Sequence, residues 1–139
     1  MTLDRGTALA RFARASVASL GTTRESVSPH LVPVTFAVEA ETVYSAVDRK
    51  PKTTRALQRL ANIAAHPAVS LLVDHYEDDW ARLWWVRVDG TATVSDDAAQ
   101  LTTATTLLQA KYPQYVDQPP DGPVISIAIS GVTWWEWAR

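Results

Sequence analysis

"HPAVSLLVDHYEDDWARLWWVRVDGTATVS", residues 66–95, is the stretch that decides the fold. Through Tyr76 it is a largely buried strand, "EDD" is a turn, and "ARLWWVRVDGTATVS" returns as a longer strand. On that second strand Trp84, Val86, Val88, Ala92 and Val94 share one face, while Leu83, Trp85 and Arg87 stand on the other among polar residues. A strand that is apolar on one side and aromatic on the other is poorly served by water, and large exposed aromatics mark a partner or ligand surface. A symmetric dimer packed through this sheet is therefore expected.

Working outward, the period alternates between helix and strand. Residues 4–15 read as a short helix on Leu9, Phe12 and Ala13, and "SVASLGTT" as a strand ending in a turn. "HLVPVTFAVEAETVYSAV" reads as two strands about a turn at Glu39 to Glu41, with Val32, Val34, Phe36 and Val38 on one face and Pro33 requiring an edge or a bulge. Residues 53–65 switch to helix, with Leu57, Leu60, Ala61 and Ala64 inward and Arg55, Arg59 and Asn62 toward solvent. "DDAAQLTTATTLLQAKY" is a helix with two aspartates at its positive end. A polar, Pro-rich loop follows, and "VISIAISGVTWWEWA" closes the chain as a strand with Gly131 marking a bulge. About six strands, joined mainly by hairpins and flanked by short helices, make a mainly β antiparallel barrel spanning residues 1–139 as a single domain.

The charge balance excludes some partners. Thirteen basic against 15 acidic side chains give a net charge of −2, so no overall positive field collects nucleic acid or an anionic membrane. The absence of cysteine removes disulfides, thiolate metal sites and a cysteine nucleophile. No apolar run approaches the ~20 residues that span a bilayer. "MTLDRGTALARFARAS" lacks the continuous apolar core of a signal peptide, so a cytoplasmic location is the expectation.

One local cluster stands against the acidic background. "AVDRKPKTTRAL", residues 46–57, holds Arg49, Lys50, Lys52 and Arg55 around Pro51, just before a helix that Thr53 or Thr54 would cap. Either these are surface cations before an ordinary helix, or they join its free N–H groups in a cradle for a phosphate.

The order of "HLVPVTF", "VYSAVDRKPKTTRAL", "VSLLVDHY" and "WWVRVDGTATV" resembles the pyridoxamine-phosphate-oxidase-like split β-barrel superfamily, and more closely its deazaflavin (F420)-dependent branch, the FDOR-B type reductases. The resemblance runs from about Ala8 to Trp137, and "VDRKPKTTRAL" and "LVDHYEDDWARLWWVRVDG" are its most specific parts. It implies a six-stranded, Greek-key, FMN-binding-type split barrel. It implies a homodimer with two cofactor clefts between the chains, a small-molecule substrate and coenzyme F420, with FMN the alternative.

By position, the resemblance places Pro33, Val34 and Thr35 along the ring. The segment from Ser45, Ala46 and Val47 through Lys50, Pro51, Lys52, Thr53 and Thr54 would hold the phosphate. "WVRV", with Trp85 and Arg87, matches a "QVRV" whose glutamine reaches a flavin across the interface in the oxidases. Trp85 in that place removes a polar ring contact and counts against ordinary FMN oxidase chemistry. The C-terminal Trp134, Trp135 and Trp137 fit either the cleft or simple packing.

No side chain presents itself as a catalyst. His30, His66 and His75 lack metal-ligand spacing, so no metal is expected; His66 before Pro67 reads as a helix cap, and Asp78 with Asp79 as a solvated turn. A redox cofactor that carries the hard step explains this, since the protein then need only bind, orient and exclude water. The resemblance implies hydride transfer from C5 of reduced deazaflavin to an unsaturated or electrophilic substrate. Solvent or Tyr76 would donate the proton, and Arg55 and Arg59 would sit near the acidic tail. A non-catalytic module that holds haem or another planar ligand is the rival of a different class.

Overall fold

In a computed structural model the chain is described over residues 3–47 and 54–137, with only the backbone of the first four residues of the second stretch. Asp4 caps the first helix, α1 (Arg5–Arg14), by accepting the Thr7 N–H at 2.7 Å. Asp97 does the same for α3 (Ala98–Lys111) through the Gln100 N–H at 3.2 Å. Four strands fill the first third: β1 (Ala18–Thr23), β2 (Pro29–Val34), β3 (Ala37–Glu39) and β4 (Thr42–Ala46). After α2 (Thr54–Ala65) come β5 (Ala68–His75), a 3-10 turn (Trp80–Arg82), β6 (Trp84–Ser95), α3, the short α4 (Gln114–Asp117) and β7 (Val124–Glu136). Among the described residues no helix is long and apolar enough to cross a membrane.

All seven strands belong to one antiparallel sheet in the order β2-β1-β5-β6-β7-β4-β3. The two edges of that order, β2 and β3, are consecutive in the chain and separated only by Thr35 and Phe36. So short a link spans at most roughly 11 Å, so the sheet must curl until its edges nearly meet. The result is a mainly β, split barrel whose opening lies between β2 and β3. Its strand count is seven, not six, because the expected strand through Phe36 breaks at Thr35–Phe36. Val32, Val34, Phe36 and Val38 keep to the interior side across the break, and Pro33 sits on the edge strand, where its missing N–H costs no ladder bond.

The interior is filled from every strand and sealed at one end by α1. Leu20, Leu71, Val86, Val88, Ile125 and Ile127 are fully enclosed, and Phe12 of α1 meets Phe36 with ring centroids 4.8 Å apart. The predicted bulge is present: Asp89 pairs with Gly131 and Gly90 with Ile129, leaving Ser130 as the extra residue of β7. Gly90 is required beside it, because a Cβ there would stand 2.5 Å from the Ala128 carbonyl oxygen.

Helix α2 packs Leu60 on the core as its apolar spacing suggests but departs from that spacing elsewhere. Ala61 and Ala64 are exposed, whereas Asn62 and Ile63 are buried. Asn62 donates from Nδ2 to the Thr22 hydroxyl at 3.0 Å, and Gln58 donates to its Oδ1 at 2.6 Å. A buried amide satisfied on both sides is tolerated in a core, so two polar partners outweighed the alanines.

Candidate functional site

Because side chains alternate along each strand, the ladder register defines the outer face of the sheet. Pairing of Pro33 with Ser19, Ser19 with Leu72, Leu72 with Arg87 and Arg87 with Thr133 runs one row across five strands. A neighbouring row takes in Asp74, Trp85 and Trp135. This face is open and apolar where it should be polar: Leu31 is 72%, Tyr76 61%, Leu72 39% and Trp135 37% exposed. A groove of about 570 Å³ crosses it, bounded by Leu31, Leu72, Tyr76, Trp85 and Arg87. Arg87 is fixed at its edge by Asp89, Nε to Oδ1 at 3.2 Å, and by a hydrogen bond from Nη2 to the Thr133 hydroxyl at 3.3 Å. Ser70 steadies the carboxylate in turn, donating to Asp89 at 2.6 Å.

Pro33, Trp85 and Arg87 therefore share one surface, together with Tyr76, the alternative to solvent as the expected proton donor. Val34 has its side chain in the core, so only its backbone is left for a ring.

The other expected contacts form a buried seam at the opening of the barrel. Ser45 Oγ donates to the Thr35 carbonyl at 2.8 Å, and the Thr35 hydroxyl shares a 2.8 Å hydrogen bond with Tyr115. Ala46 packs with Ala37 and Leu108, and the Val47 N–H donates to the Pro123 carbonyl at 3.0 Å. Lys50, Pro51, Lys52 and Thr53 lie outside the described residues, as does the side chain of Thr54, whose backbone begins α2. The seam leads directly into that stretch.

Sequence reasoning missed the residues that close the opening. The Tyr112 hydroxyl accepts the Phe36 N–H at 3.1 Å and lies 2.9 Å and 3.0 Å from the Ser16 and Phe36 carbonyl oxygens, either of which can take its proton. Lys111 Nζ donates to the Phe36 carbonyl at 2.9 Å and lies 3.8 Å from the centre of the Phe36 ring. Burial draws the Lys111 ammonium down to about 8, and raises the Tyr112 phenol above its ordinary value. Their one trace in the sequence is "AKYPQY", two tyrosines and a lysine at the end of a helix.

Near the place where α2 packs on β1 and β6, cations gather. Arg59 lies one turn before Asn62, and His30 pairs in register with Thr22, the Asn62 partner. Burial holds His30 below the ordinary imidazole range, with Arg24 and Arg59 adding to the effect, and burial lowers Arg59 as well. The Nδ1 atom of His30 and Nε of Arg59 are buried without a hydrogen-bond partner. Elsewhere, His75 is paired with Glu77 and stacks on Trp84, and the described residues contain no cluster of three metal-binding side chains.

The model of the family described as pyridoxamine 5'-phosphate oxidase matches residues 6–138. Among solved structures, a conserved hypothetical protein from Mycobacterium tuberculosis is 19% identical, with a TM-score of 0.78 over 98% of this chain and 86% of that one. An FAD-binding protein from Mesorhizobium loti is 18% identical, with a TM-score of 0.74 over 99% and 98%. A heme-binding protein from Mycobacterium smegmatis is 18% identical, with a TM-score of 0.73 over 100% of this chain and 57% of that one. At these identities the likeness is one of fold. No curated protein matches the chain.

Proposed function

The chain belongs to the pyridoxamine 5'-phosphate oxidase family, and from that premise we propose that it is a homodimeric oxidoreductase that uses coenzyme F420 to reduce an unsaturated or electrophilic small molecule. The observation that carries this reading is the place of Trp85: it stands on an open, apolar outer face with Leu31, Leu72 and Tyr76 around one groove. A second copy of the chain packed on that face would bury these side chains and complete two symmetry-related clefts.

The residues present suit such a cofactor. Arg59, half-buried with an unpartnered Nε, offers positive charge to an acidic tail, and Arg24, which like Arg59 acts on His30, adds to it. Lys50 and Lys52 are the proposed phosphate ligands. Trp85 and Leu72 form an apolar wall that keeps water from the ring, Arg87 is a fixed cation at the groove's edge, and the Tyr76 hydroxyl is the proton donor within the groove. When bound, reduced F420 supplies the hydride, and a two-electron donor of this kind explains why no side-chain nucleophile is needed.

Titration of the purified protein with F420, FMN, FAD and haem, followed by absorption and fluorescence, tests the proposal. F420 should bind most tightly, and the reduced form should be consumed with an enone or quinone. Tighter binding of FMN or FAD would make the chain a flavoenzyme, and tight binding without turnover across a broad panel would make it a carrier.

A further inference from the structure

Trp84 and Trp85 point to opposite faces of β6, and behind the cofactor face Trp84 lines a second groove of about 530 Å³. We propose that this groove, between the C-terminal end of α1 and the joined ends of β6 and β7, binds a planar aromatic carboxylate. Its volume lies in the range of small-molecule sites. Arg11 and Arg14 reach it from α1 and Arg82 from the 3-10 turn, while Glu136 is the only carboxylate among the described residues that line it. Glu136 faces Arg11 and Glu77 lies near Arg82, which leaves Arg14 in excess of the described carboxylates. The negative end of a helix accounts for Arg11 and Arg14 but not for Arg82, which comes from another element and faces the same space.

The walls are already built. The Arg11 guanidinium lies 5.0 Å from the centre of the Trp84 ring and its Nη1 3.5 Å from Glu136 Oε1. The Trp137 backbone N–H donates to the Leu83 carbonyl at 3.0 Å, and the Trp137 ring meets Trp80 edge-on at 6.0 Å. No described carboxylate pairs with Arg14, and Arg82 lies 3.8 Å from Glu77 with its side chain 71% exposed. The Arg14 guanidinium is thus open to a ligand, and that of Arg82, exposed and held only at long range by Glu77, can exchange this partner for one. Guanidinium groups take carboxylates by two-point hydrogen bonding, and indole rings pack against planar rings. An aromatic carboxylate uses both features, whereas a bare phosphate leaves the tryptophans unused and a neutral ring leaves the arginines unused.

Calorimetric titration of the full chain with naphthalene-2-carboxylate, and with naphthalene-2-carboxamide as its neutral counterpart, tests this. The carboxylate should bind saturably and the carboxamide roughly tenfold more weakly or worse. The Trp84 and Trp137 indole N–H resonances should move most. A chain carrying Arg14→Ala and Arg82→Ala should unfold at the same temperature as the parent yet lose roughly tenfold or more in affinity, while Arg87→Ala on the outer face leaves affinity unchanged. The absence of saturable binding, equal binding of both probes, or loss through Arg87→Ala in place of the paired change would overturn the proposal.

Discussion

The Ser45 hydroxyl donates a 2.8 Å hydrogen bond to the Thr35 carbonyl, tying the end of β4 to the bend between β2 and β3. The two segments that the resemblance assigns to a cofactor, one for its ring and one for its phosphate, are thereby held as a unit. Ser45 is 1% exposed, so its loss would leave the Thr35 oxygen without this bond in a nearly dry place. Ser45→Ala should cost about 1–2 kcal/mol of stability, read from urea unfolding, and should weaken cofactor binding as well. Unchanged values of both would mean the bond is incidental.

Gly122 presses its backbone against the same strand end. A Cβ there would stand 1.8 Å from the Val47 carbonyl oxygen, a distance only backbone movement can relieve. Gly122→Ala is expected to destabilise the protein by about 1–3 kcal/mol and to lower its melting temperature, and an unshifted melt would mean the loop gives way freely.

Lys111 makes stability depend on pH in a defined direction. Its ammonium titrates at about 8 when folded, against an ordinary 10.5, because burial disfavours the charge. Between these values the unfolded chain binds the extra proton, so stability rises with pH there, and the full cost of the buried charge is present below pH 8. Denaturant unfolding of wild type and Lys111→Met over a pH series checks this. The difference should move in favour of wild type between pH 8 and 10.5, and a difference that stays level would show an unperturbed lysine.

Charge placed on the outer face tests the dimer. Leu72→Glu sits at the centre of the apolar row and, being 39% exposed in the single chain, has little core to disturb. Light scattering should report a dimer for wild type and a monomer for the variant, with cofactor binding lost in parallel. A wild-type monomer, or a variant that still dimerises, would place the interface elsewhere.

Trp85→Gln tests the choice of cofactor. Restoring a polar donor on this face should raise FMN affinity relative to F420 by roughly tenfold, as one ring hydrogen bond allows. If the ratio of the two dissociation constants stayed the same, Trp85 would have no part in discrimination.

What the sequence made legible was what depends on neighbours along the chain. Leu9, Phe12 and Ala13 announced the first helix and two aspartates the start of α3, because helical spacing and helix-end charge are local, and the alternation of Trp84 to Val94 announced a two-faced strand because the pleat is local. Part of the face of α2 was misread because an inward residue is Asn62, whose partner Thr22 lies 40 positions away. The break at Phe36 was invisible for the same reason, since its N–H goes to Tyr112, 76 positions on. The outer face could be recognised by its aromatics, but the three residues that close the barrel could not, because a lysine and two tyrosines at a helix end have no pattern of their own.

The barrel closes where its two edge strands, β2 and β3, face each other without a ladder, and a phenol and an ammonium stand in for the missing rungs. A wall joined in this way can part without breaking any bond between strands. Lifting the end of α3 frees Tyr112 and Lys111 together and uncovers the Phe36 amide, while the seven-stranded weave stays intact. Exchange of that one amide with solvent is thus a clock for the undocking of a helix, and it runs separately from the unfolding of the sheet.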